Sequence, residues 1–308
     1  LTGSKVHHVT AGEAAALVSG LAHASFSVTD VSSKPYKKRP APPFITTTLI
    51  REASSKLGLG SQAAMGVAQS LYQKGFITYM RSDSPSLSGE AIRAARKQAI
   101  DLFGSDAVPS SPRVYASADS NAQEAHEAIR PAGDTFRTPD SVRAQLRGDE
   151  FRMYEMIWKR TLASQMADAV GTTSTITVGA TTAAGHAVEF TKSGTILTSP
   201  GFRALYIEST EKARYEDEEG KQPADGDERL PQVTAGDAVD AADLDALIHT
   251  TNPPPRFTQG AMIKELEDRK LGRPSTYAST VDVIIDRGYV RVDKRVLVPT
   301  WLAFNIIA

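Results

Sequence analysis

The stretch Gly75-Phe76-Ile77-Thr78-Tyr79-Met80-Arg81-Ser82-Asp83-Ser84 is the most informative part of this 308-residue sequence. Its β-prone residues Phe76–Met80 predict a short strand. Because side chains alternate along a strand, we expect Tyr79 and Arg81 to point into one site. A phenol is a nucleophile and a guanidinium binds phosphoryl oxygens, so this pair suits attack on a phosphodiester. The alternative is an ordinary half-buried strand followed by an exposed turn.

The same stretch ends a helix–turn–helix–strand pattern that occurs twice in the chain. Phe44–Tyr79 and Phe257–Val292 each predict a helix, a Leu-Gly turn, a second helix capped by a serine (Ser61 or Ser275), and a strand after a glycine. In the second copy, Tyr289–Pro299 predicts a β-hairpin. Both copies resemble winged-helix modules, whose second helix often contacts nucleic acid. Coincidence is the alternative, because helix–turn–helix is a common packing unit.

Three motifs carry a resemblance to a known family. They are the tyrosine stretch extended to Ser88, the sequence Glu124-Ala-His-Glu-Ala-Ile-Arg-Pro131, and Pro253-Pro-Pro-Arg-Phe-Thr-Gln259 leading into Leu271-Gly-Arg-Pro-Ser-Thr-Tyr277. In this order they resemble the type IA DNA topoisomerases, the bacterial topoisomerase I group. Gln259 departs from the pattern, since an acidic residue is expected there.

The resemblance implies an activity and a nucleophile. It implies cleavage of single-stranded DNA through a 5′-phosphotyrosine intermediate, strand passage and religation, which together relax negative supercoils. Tyr79 would be the nucleophile, and Arg81 would stabilise the phosphoryl oxygens. A phosphotyrosine ester conserves the energy of the broken bond, so resealing requires no ATP.

The resemblance also implies a set of DNA-binding residues, namely Asp83, His126, Arg130, Arg273, Ser275, Thr276 and Arg287. By itself, His126 between two glutamates is more often a structural hydrogen-bonding residue. Arg273, Ser275 and Thr276 lie at a predicted helix start, where backbone N–H groups can bind phosphate. The alternative there is a plain serine N-cap with an exposed arginine.

No metal-ligand set is evident in this chain, so we expect no metal or cofactor to be bound within it. The resemblance implies Mg²⁺ in the full enzyme, bound by acidic residues of an N-terminal Toprim domain. No Asp-x-Asp sequence precedes Tyr79. We therefore expect the Toprim domain, like the C-terminal DNA-binding repeats, to lie outside this chain, and we expect no strand passage by the chain alone.

The sequence predicts an α+β, multidomain fold. A helical winged-helix-like domain that carries the catalytic tyrosine is expected to be inserted in a β-rich arch domain, followed by part of a second helical domain at the base of the ring. The predicted divisions are 1–40 and 168–238 for the arch, 41–167 for the tyrosine domain and 239–308 for the base domain.

Local patterns predict the individual elements. Predicted helices cover 10–22, 46–56, 61–74, 88–103 and 139–168; predicted strands cover 26–31, 175–178, 186–191, 204–207 and 234–240; and 35–43 is predicted to be a linker. The aromatic and aliphatic residues of 139–168 predict a core stripe of Phe151, Tyr154, Ile157, Trp158, Leu162 and Met166.

Charge is unevenly distributed along the chain. The net charge is −1, but Glu208–Glu228 contains nine acidic and three basic residues, so the rest of the chain carries +5. Lys34, Lys37, Lys38 and Arg39 form a basic cluster that is either a solvated linker or a DNA-facing strip. The chain has no cysteine and no apolar run long enough to span a bilayer. We expect a cytoplasmic, nucleoid-associated monomer whose partner is single-stranded DNA and not a membrane.

Two other functions remain open from the sequence. One is a non-catalytic DNA-binding protein built from two winged-helix modules. The other is a cytoplasmic scaffold that uses the acidic stretch Glu208–Glu228 as a partner site. A DNA binder loses affinity steeply as salt rises, whereas a scaffold has no DNA affinity even at low salt.

Overall fold

The computed structural model describes residues 9–116, 127–207, 230–247 and 253–307, and shows a mixed α and β fold. The α-helices are α1 (Ala11–Leu21), α2 (Thr46–Glu52), α3 (Ser61–Gln73), α4 (Gly89–Phe103), α5 (Pro139–Val142), α6 (Gly148–Gln165), α7 (Gln259–Asp268), α8 (Tyr277–Asp286) and α9 (Trp301–Ile307). The strands are β1 (Phe26–Lys38), β2 (Ala169–Thr181), β3 (Ala187–Ser199), β4 (Ala238–Val239), β5 (Val290–Asp293) and β6 (Val296–Pro299). No helix in these ranges is both long and apolar enough to cross a membrane.

The chain divides into two compact units. One unit contains the described residues of Leu1–Lys38, Ala169–Pro200 and Asp217–Pro253, and the other contains the remainder. Both helix–turn–helix copies belong to the second unit. The assignment of these segments to an arch, a tyrosine domain and a base domain stays a prediction.

The first unit is an antiparallel sheet with the strand order β3-β2-β1-β4. Helix α1 begins as predicted at Thr10, whose hydroxyl accepts the Glu13 N–H while the Glu13 carboxylate accepts the Thr10 N–H. Leu21, Phe26 and Ala180 form a small buried apolar cluster in this unit.

The predicted linker at 35–43 is wrong over its first part. Strand β1 continues to Lys38, and Pro35 pairs with Thr172 of β2. Proline is tolerated there because β4 covers only Phe26 and Ser27, which leaves the other edge of β1 unpaired at Pro35. Lys34, Lys37 and Lys38 of the basic cluster therefore lie on a strand.

The predicted strands at 204–207 and 234–240 are largely wrong. Gly201–Ala204 is a 3₁₀ helix, and only Ala238–Val239 of the later segment pairs as β4. The apolar spacing of 202–206 reflects packing of a turn, because Phe202 and Tyr206 are both buried. The Tyr206 hydroxyl donates to the buried Glu52 carboxylate over 2.9 Å.

The long helix predicted over 139–168 is interrupted. Helix α5 ends at Val142, and α6 begins at Gly148, which has a φ of +55° that a regular helix does not allow. Most of the predicted core stripe is confirmed, because Tyr154, Ile157, Trp158, Leu162 and Met166 are buried; Phe151 is half-buried. Helix α4 runs from Gly89 to Phe103 after a Ser88 N-cap, and its buried residues are Ala91, Ala94, Ala95 and Ala99.

The two helix–turn–helix copies pack directly against each other in the second unit. Helix α2 contacts α7, and α3 contacts α8. Ile50 and Ile263, which occupy matching positions in the two copies, share one apolar cluster with Tyr277, Val281 and Leu297. The predicted hairpin of the second copy is confirmed as β5–β6, whose turn residues Lys294 and Arg295 both have positive φ.

The helix caps differ from those predicted. Gly60 and Thr276, and not Ser61 and Ser275, are the N-cap residues of α3 and α8. The buried Ser61 donates its N–H to the Gln259 side-chain oxygen over 2.7 Å, and its hydroxyl lies 3.0 Å from the same oxygen. Gln259, the departure from the family pattern, thus caps the first copy's helix from the second copy.

Removing this cross-copy cap is expected to destabilise the second unit. Gln259→Leu deletes the acceptor of the Ser61 N–H and should lower the free energy of unfolding by about 1 kcal/mol in urea denaturation. Ser61→Ala combined with Gln259→Leu should cost less than the two single changes together, because they remove one shared interaction. Gln73→Leu is the control, because Gln73 is exposed at the C-terminal end of α3, the helix that begins with Ser61. If the loss of unfolding free energy in the double variant equals the sum of the two single losses, Gln259 does not cap this helix.

Candidate active site

The tyrosine motif lies beside the second motif, and backbone hydrogen bonds join them. The Thr78 N–H donates to the Arg130 carbonyl, and the Ala132 N–H donates to the Phe76 carbonyl, each over 2.9 Å. Between these bonds, Ile77 forms an isolated bridge with Pro131. The predicted strand Phe76–Met80 is therefore wrong as a strand: Pro131 has no N–H, so the pairing stops at one bridge.

Thr78 strengthens this junction through its side chain. Its hydroxyl donates to the Ala128 carbonyl over 2.7 Å and accepts the Arg130 N–H over 3.0 Å. One side chain thus satisfies backbone groups on both sides of Ile129. The residue that precedes Tyr79 is consequently fixed to the second motif.

Arg130 is part of the scaffold of this junction. It is 8% exposed, and its guanidinium donates to both carboxylate oxygens of Glu127 and to the Pro131 and Gly133 carbonyls over 2.8–2.9 Å. The structure indicates that this side chain folds the 127–133 loop. Its predicted contact with DNA stays a prediction.

Glu127 links this loop to the start of α4. Its carboxylate accepts the Ser88 N–H over 2.8 Å in addition to the Arg130 donors. Burial raises the pKa of Glu127, but the hydrogen bonds from Arg130 and Ser88 outweigh it and hold the pKa below the ordinary value of 4.5. The loop is therefore held by a carboxylate that must be ionised.

Tyr79 and Arg81 are exposed, and the residues that follow each of them are buried. Tyr79 is 45% exposed, whereas Met80 and Ser82 are 4% and 2% exposed. The backbone of Ser82 is paired with Thr46 at the start of α2: each N–H donates to the other residue, over 2.9 Å. The expected alternation of side chains is thus present without a β-ladder. No described residue forms a hydrogen bond or ion pair with Arg81.

The other predicted site residues lie either between the two copies or in the second copy. Asp83 is half-buried beside Ser82, and His126 lies outside the described residues. Arg273, Ser275 and Thr276 are exposed at the start of α8, where the Thr276 hydroxyl accepts the Arg273 N–H over 2.9 Å. Arg287 is exposed at the opposite end of this ten-residue helix, about 15 Å away along the axis.

Sequence reasoning missed several residues that shape the site. Thr46, Thr78 and Ser82 hold the tyrosine segment, and the Tyr72 ring packs against Tyr79. Threonine after an isoleucine looks like an ordinary strand residue, so no local pattern marks Thr78. Tyr72 and Tyr79 are separated by a helix end, which periodicity alone cannot bridge.

The described residues offer no fit for a magnesium site. No group of three or more His, Asp or Glu side chains close enough to hold a metal ion occurs among residues 9–116, 127–207, 230–247 and 253–307. No step is therefore assigned to a metal on this chain. Binding of Mg²⁺ by another part of the enzyme stays a prediction.

Neutralising Glu127 is expected to loosen the junction in a pH-dependent manner. Glu127→Gln should lower the free energy of unfolding by about 1–2 kcal/mol at pH 7, because it removes the ionic acceptor of Arg130. The folded pKa is lowered, so the wild-type advantage exists above pH 4.5 and disappears as pH falls through the folded pKa. Urea titrations at several pH values measure this difference. Asp101→Asn, which breaks an exposed pair with Lys97, is the control and should change stability by less than about 0.5 kcal/mol.

The chain is similar to known proteins over nearly its whole length. Residues 3–308 match the family model described as DNA topoisomerase. The chain is 50% identical to DNA topoisomerase 1 of Mycolicibacterium smegmatis over 294 residues, and 47% identical to that of Streptomyces coelicolor over 307 residues. These matches cover 96% and 100% of this chain but 31% of each relative, so the chain spans about a third of their length.

A solved structure shows the same fold. Full-length topoisomerase I from Thermotoga maritima matches with a TM-score of 0.75 and 29% sequence identity, over 98% of this chain and 47% of that one. The sequence matches and the structural match therefore identify the same family. The chain belongs to the DNA topoisomerase family.

Proposed function

We propose that this chain is the tyrosine-bearing region of a type IA DNA topoisomerase, an ATP-independent isomerase. Tyr79 attacks a phosphodiester of single-stranded DNA, and Arg81 stabilises the charge on the phosphoryl oxygens. A new bond joins the phenol oxygen to phosphorus, the bond from phosphorus to the 3′ oxygen breaks, and the phenol proton balances the 3′ hydroxyl that leaves. Religation reverses these changes after a strand has passed.

One observation carries this proposal: Tyr79 and Arg81 are exposed, and the residues on either side of the pair are held by hydrogen bonds. Thr78 forms hydrogen bonds with Ala128 and Arg130, and Ser82 forms hydrogen bonds with Thr46. The backbone is therefore held on both sides of Tyr79 and Arg81. Fixed backbone and exposed reactive groups are the arrangement that a nucleophile and its anion-binding partner need. An exposed turn without function would not require such hydrogen bonds on both sides.

The single-stranded DNA would follow the surface of the second copy and the residues near the tyrosine motif. We assign phosphate contacts to Arg273, Ser275 and Thr276 at the start of α8, and to Arg287 at its end. His126, Arg130 and Asp83 complete the proposed DNA-binding set. Both copies would act as winged-helix-like modules, with the first carrying the nucleophile in 41–167 and the second forming part of a base domain in 239–308.

The remainder of the proposal concerns the larger enzyme. Segments 1–40 and 168–238 would form its arch domain, a Toprim domain would bind Mg²⁺, and C-terminal repeats would bind DNA. The enzyme would be a monomer in the cytoplasm, associated with the nucleoid, and would relax negative supercoils. This chain alone is proposed to be incomplete for relaxation.

The nucleophile is tested by trapping an adduct. A 3′-labelled single-stranded oligonucleotide is incubated with the chain, a separately expressed Toprim domain and Mg²⁺, and then quenched in denaturant. Tyr79→Phe should abolish the denaturant-stable adduct and leave oligonucleotide affinity within about twofold, because only the nucleophilic hydroxyl is removed. Tyr289→Phe is the control and should retain the adduct. Wild-type binding without any adduct would favour a non-catalytic winged-helix DNA-binding protein.

The α8 contacts are tested by salt dependence. Arg273→Ala should weaken binding of single-stranded DNA and reduce the slope of log affinity against log salt by about 0.7, as expected for one lost phosphate contact. Arg143→Ala removes another exposed arginine, the C-cap residue of α5, and should leave the slope unchanged. Equal slopes for wild type and Arg273→Ala would exclude Arg273 from the phosphate contacts.

A further inference from the structure

The rings of Tyr72 and Tyr79 form an aromatic pair at the candidate site. Their centroids are 5.3 Å apart and the ring planes meet at 70°, which is an edge-to-face contact. Tyr72 is 43% exposed and Tyr79 is 45% exposed, so this contact lies at the surface where substrate would arrive. In the proposed function Tyr79 is the nucleophile, and Tyr72 has no assigned role.

Tyr72 is held more firmly than its exposure suggests. It lies on the last turn of α3, between Ser70 and Lys74, and both of these donate to the Glu150 carboxylate of α6, over 2.6 and 2.5 Å. The hydrogen bond from Lys74, with that from Ser70, holds the pKa of Glu150 below its ordinary value. The helix end that carries the Tyr72 ring is therefore fixed to a second helix.

Tyr79, by contrast, is positioned by hydrogen bonds of the neighbouring backbone and by contact with the Tyr72 ring. Thr78 anchors the preceding residue, and Met80 is buried after it. Among the residues that the structure describes, none forms a hydrogen bond with the Tyr79 hydroxyl. The ring of Tyr79 packs edge-to-face against the ring of Tyr72.

We propose that Tyr72 is a positioning residue for the Tyr79 nucleophile. Its ring restricts the orientations of the phenol, so that the oxygen spends more time directed toward the phosphorus. Tyr72 itself forms no bond to the reacting atoms. This role rests on the proposed function of Tyr79.

The packing is tested first, without any reaction. In protein labelled with ¹³C-tyrosine, the ring resonances of Tyr79, assigned with Tyr79→Phe, should shift in Tyr72→Leu because the ring current of Tyr72 is lost. Tyr72→Phe keeps the ring and should preserve both the shift and the restricted ring motion. Phe103→Leu replaces another surface aromatic residue, 41% exposed, and should leave Tyr79 unchanged. Unchanged Tyr79 resonances in Tyr72→Leu would overturn the proposal.

The positioning role is then tested by single-turnover adduct formation with the Toprim domain and Mg²⁺. At saturating oligonucleotide, Tyr72→Leu should react about three- to tenfold more slowly than wild type, the range expected for one lost aromatic pair. Its dissociation constant for DNA should be unchanged, and Tyr72→Phe should restore the wild-type rate. A wild-type rate in Tyr72→Leu, or a loss confined to DNA affinity, would overturn the proposal.

Failure of the proposal differs from failure of the proposed function. If wild-type protein forms no adduct with Tyr79, the proposed function fails, and the positioning role fails with it. If wild-type protein forms the adduct and Tyr72→Leu reacts equally fast, only the positioning role fails. A Tyr72→Leu protein with an intact urea transition excludes misfolding as the cause of a slow rate.

Discussion

The arrangement of the site depends on the hydrogen bonds of one threonine. The Thr78 hydroxyl donates to the Ala128 carbonyl and accepts the Arg130 N–H, and the Thr78 N–H donates to the Arg130 carbonyl. These bonds join two motifs that are about 50 residues apart. Glu127 and Arg130 then close the loop behind them, and Thr46 holds the segment beyond Tyr79. As a result, the exposed side chains of Tyr79 and Arg81 lie on a backbone that is held by hydrogen bonds on both sides.

Local sequence predicted many of the helices, the hairpin of the second copy and the family, whereas the roles assigned to the site residues stay predictions. The predicted helix starts at 10 and 139 were confirmed, since Thr10 is the N-cap of α1 and Thr138 is the N-cap of α5. Elements set by tertiary contacts were not. The Phe76–Met80 strand was wrong because Pro131 ends the pairing, and the cap at Ser61 was wrong because its partner, Gln259, lies in the other copy. Such contacts leave no periodic trace in the chain.

The two copies act as one packed body, which connects the second module to the nucleophile. Helix α3 begins at the Gln259 cap and ends at the turn that carries Tyr72, whose ring contacts Tyr79. Helix α8 begins at the proposed phosphate contacts and carries Asp282 to within 3.3 Å of the Ser61 hydroxyl. Burial raises the pKa of Asp282, and the Ser61 hydroxyl partly opposes this effect. Single-stranded DNA bound at α8 would therefore contact a helix that packs against α3, the helix that carries Tyr72 beside Tyr79.

The central claim is that Tyr79 becomes bonded to DNA, and peptide mapping of the trapped adduct tests it most directly. The adduct formed with the Toprim domain and Mg²⁺ is digested with nuclease and protease, and the nucleotide-bearing residue is located by mass spectrometry. The account predicts a nucleotide on the tyrosine of Gly75–Arg81 and on no other peptide. A nucleotide on any other residue would contradict it.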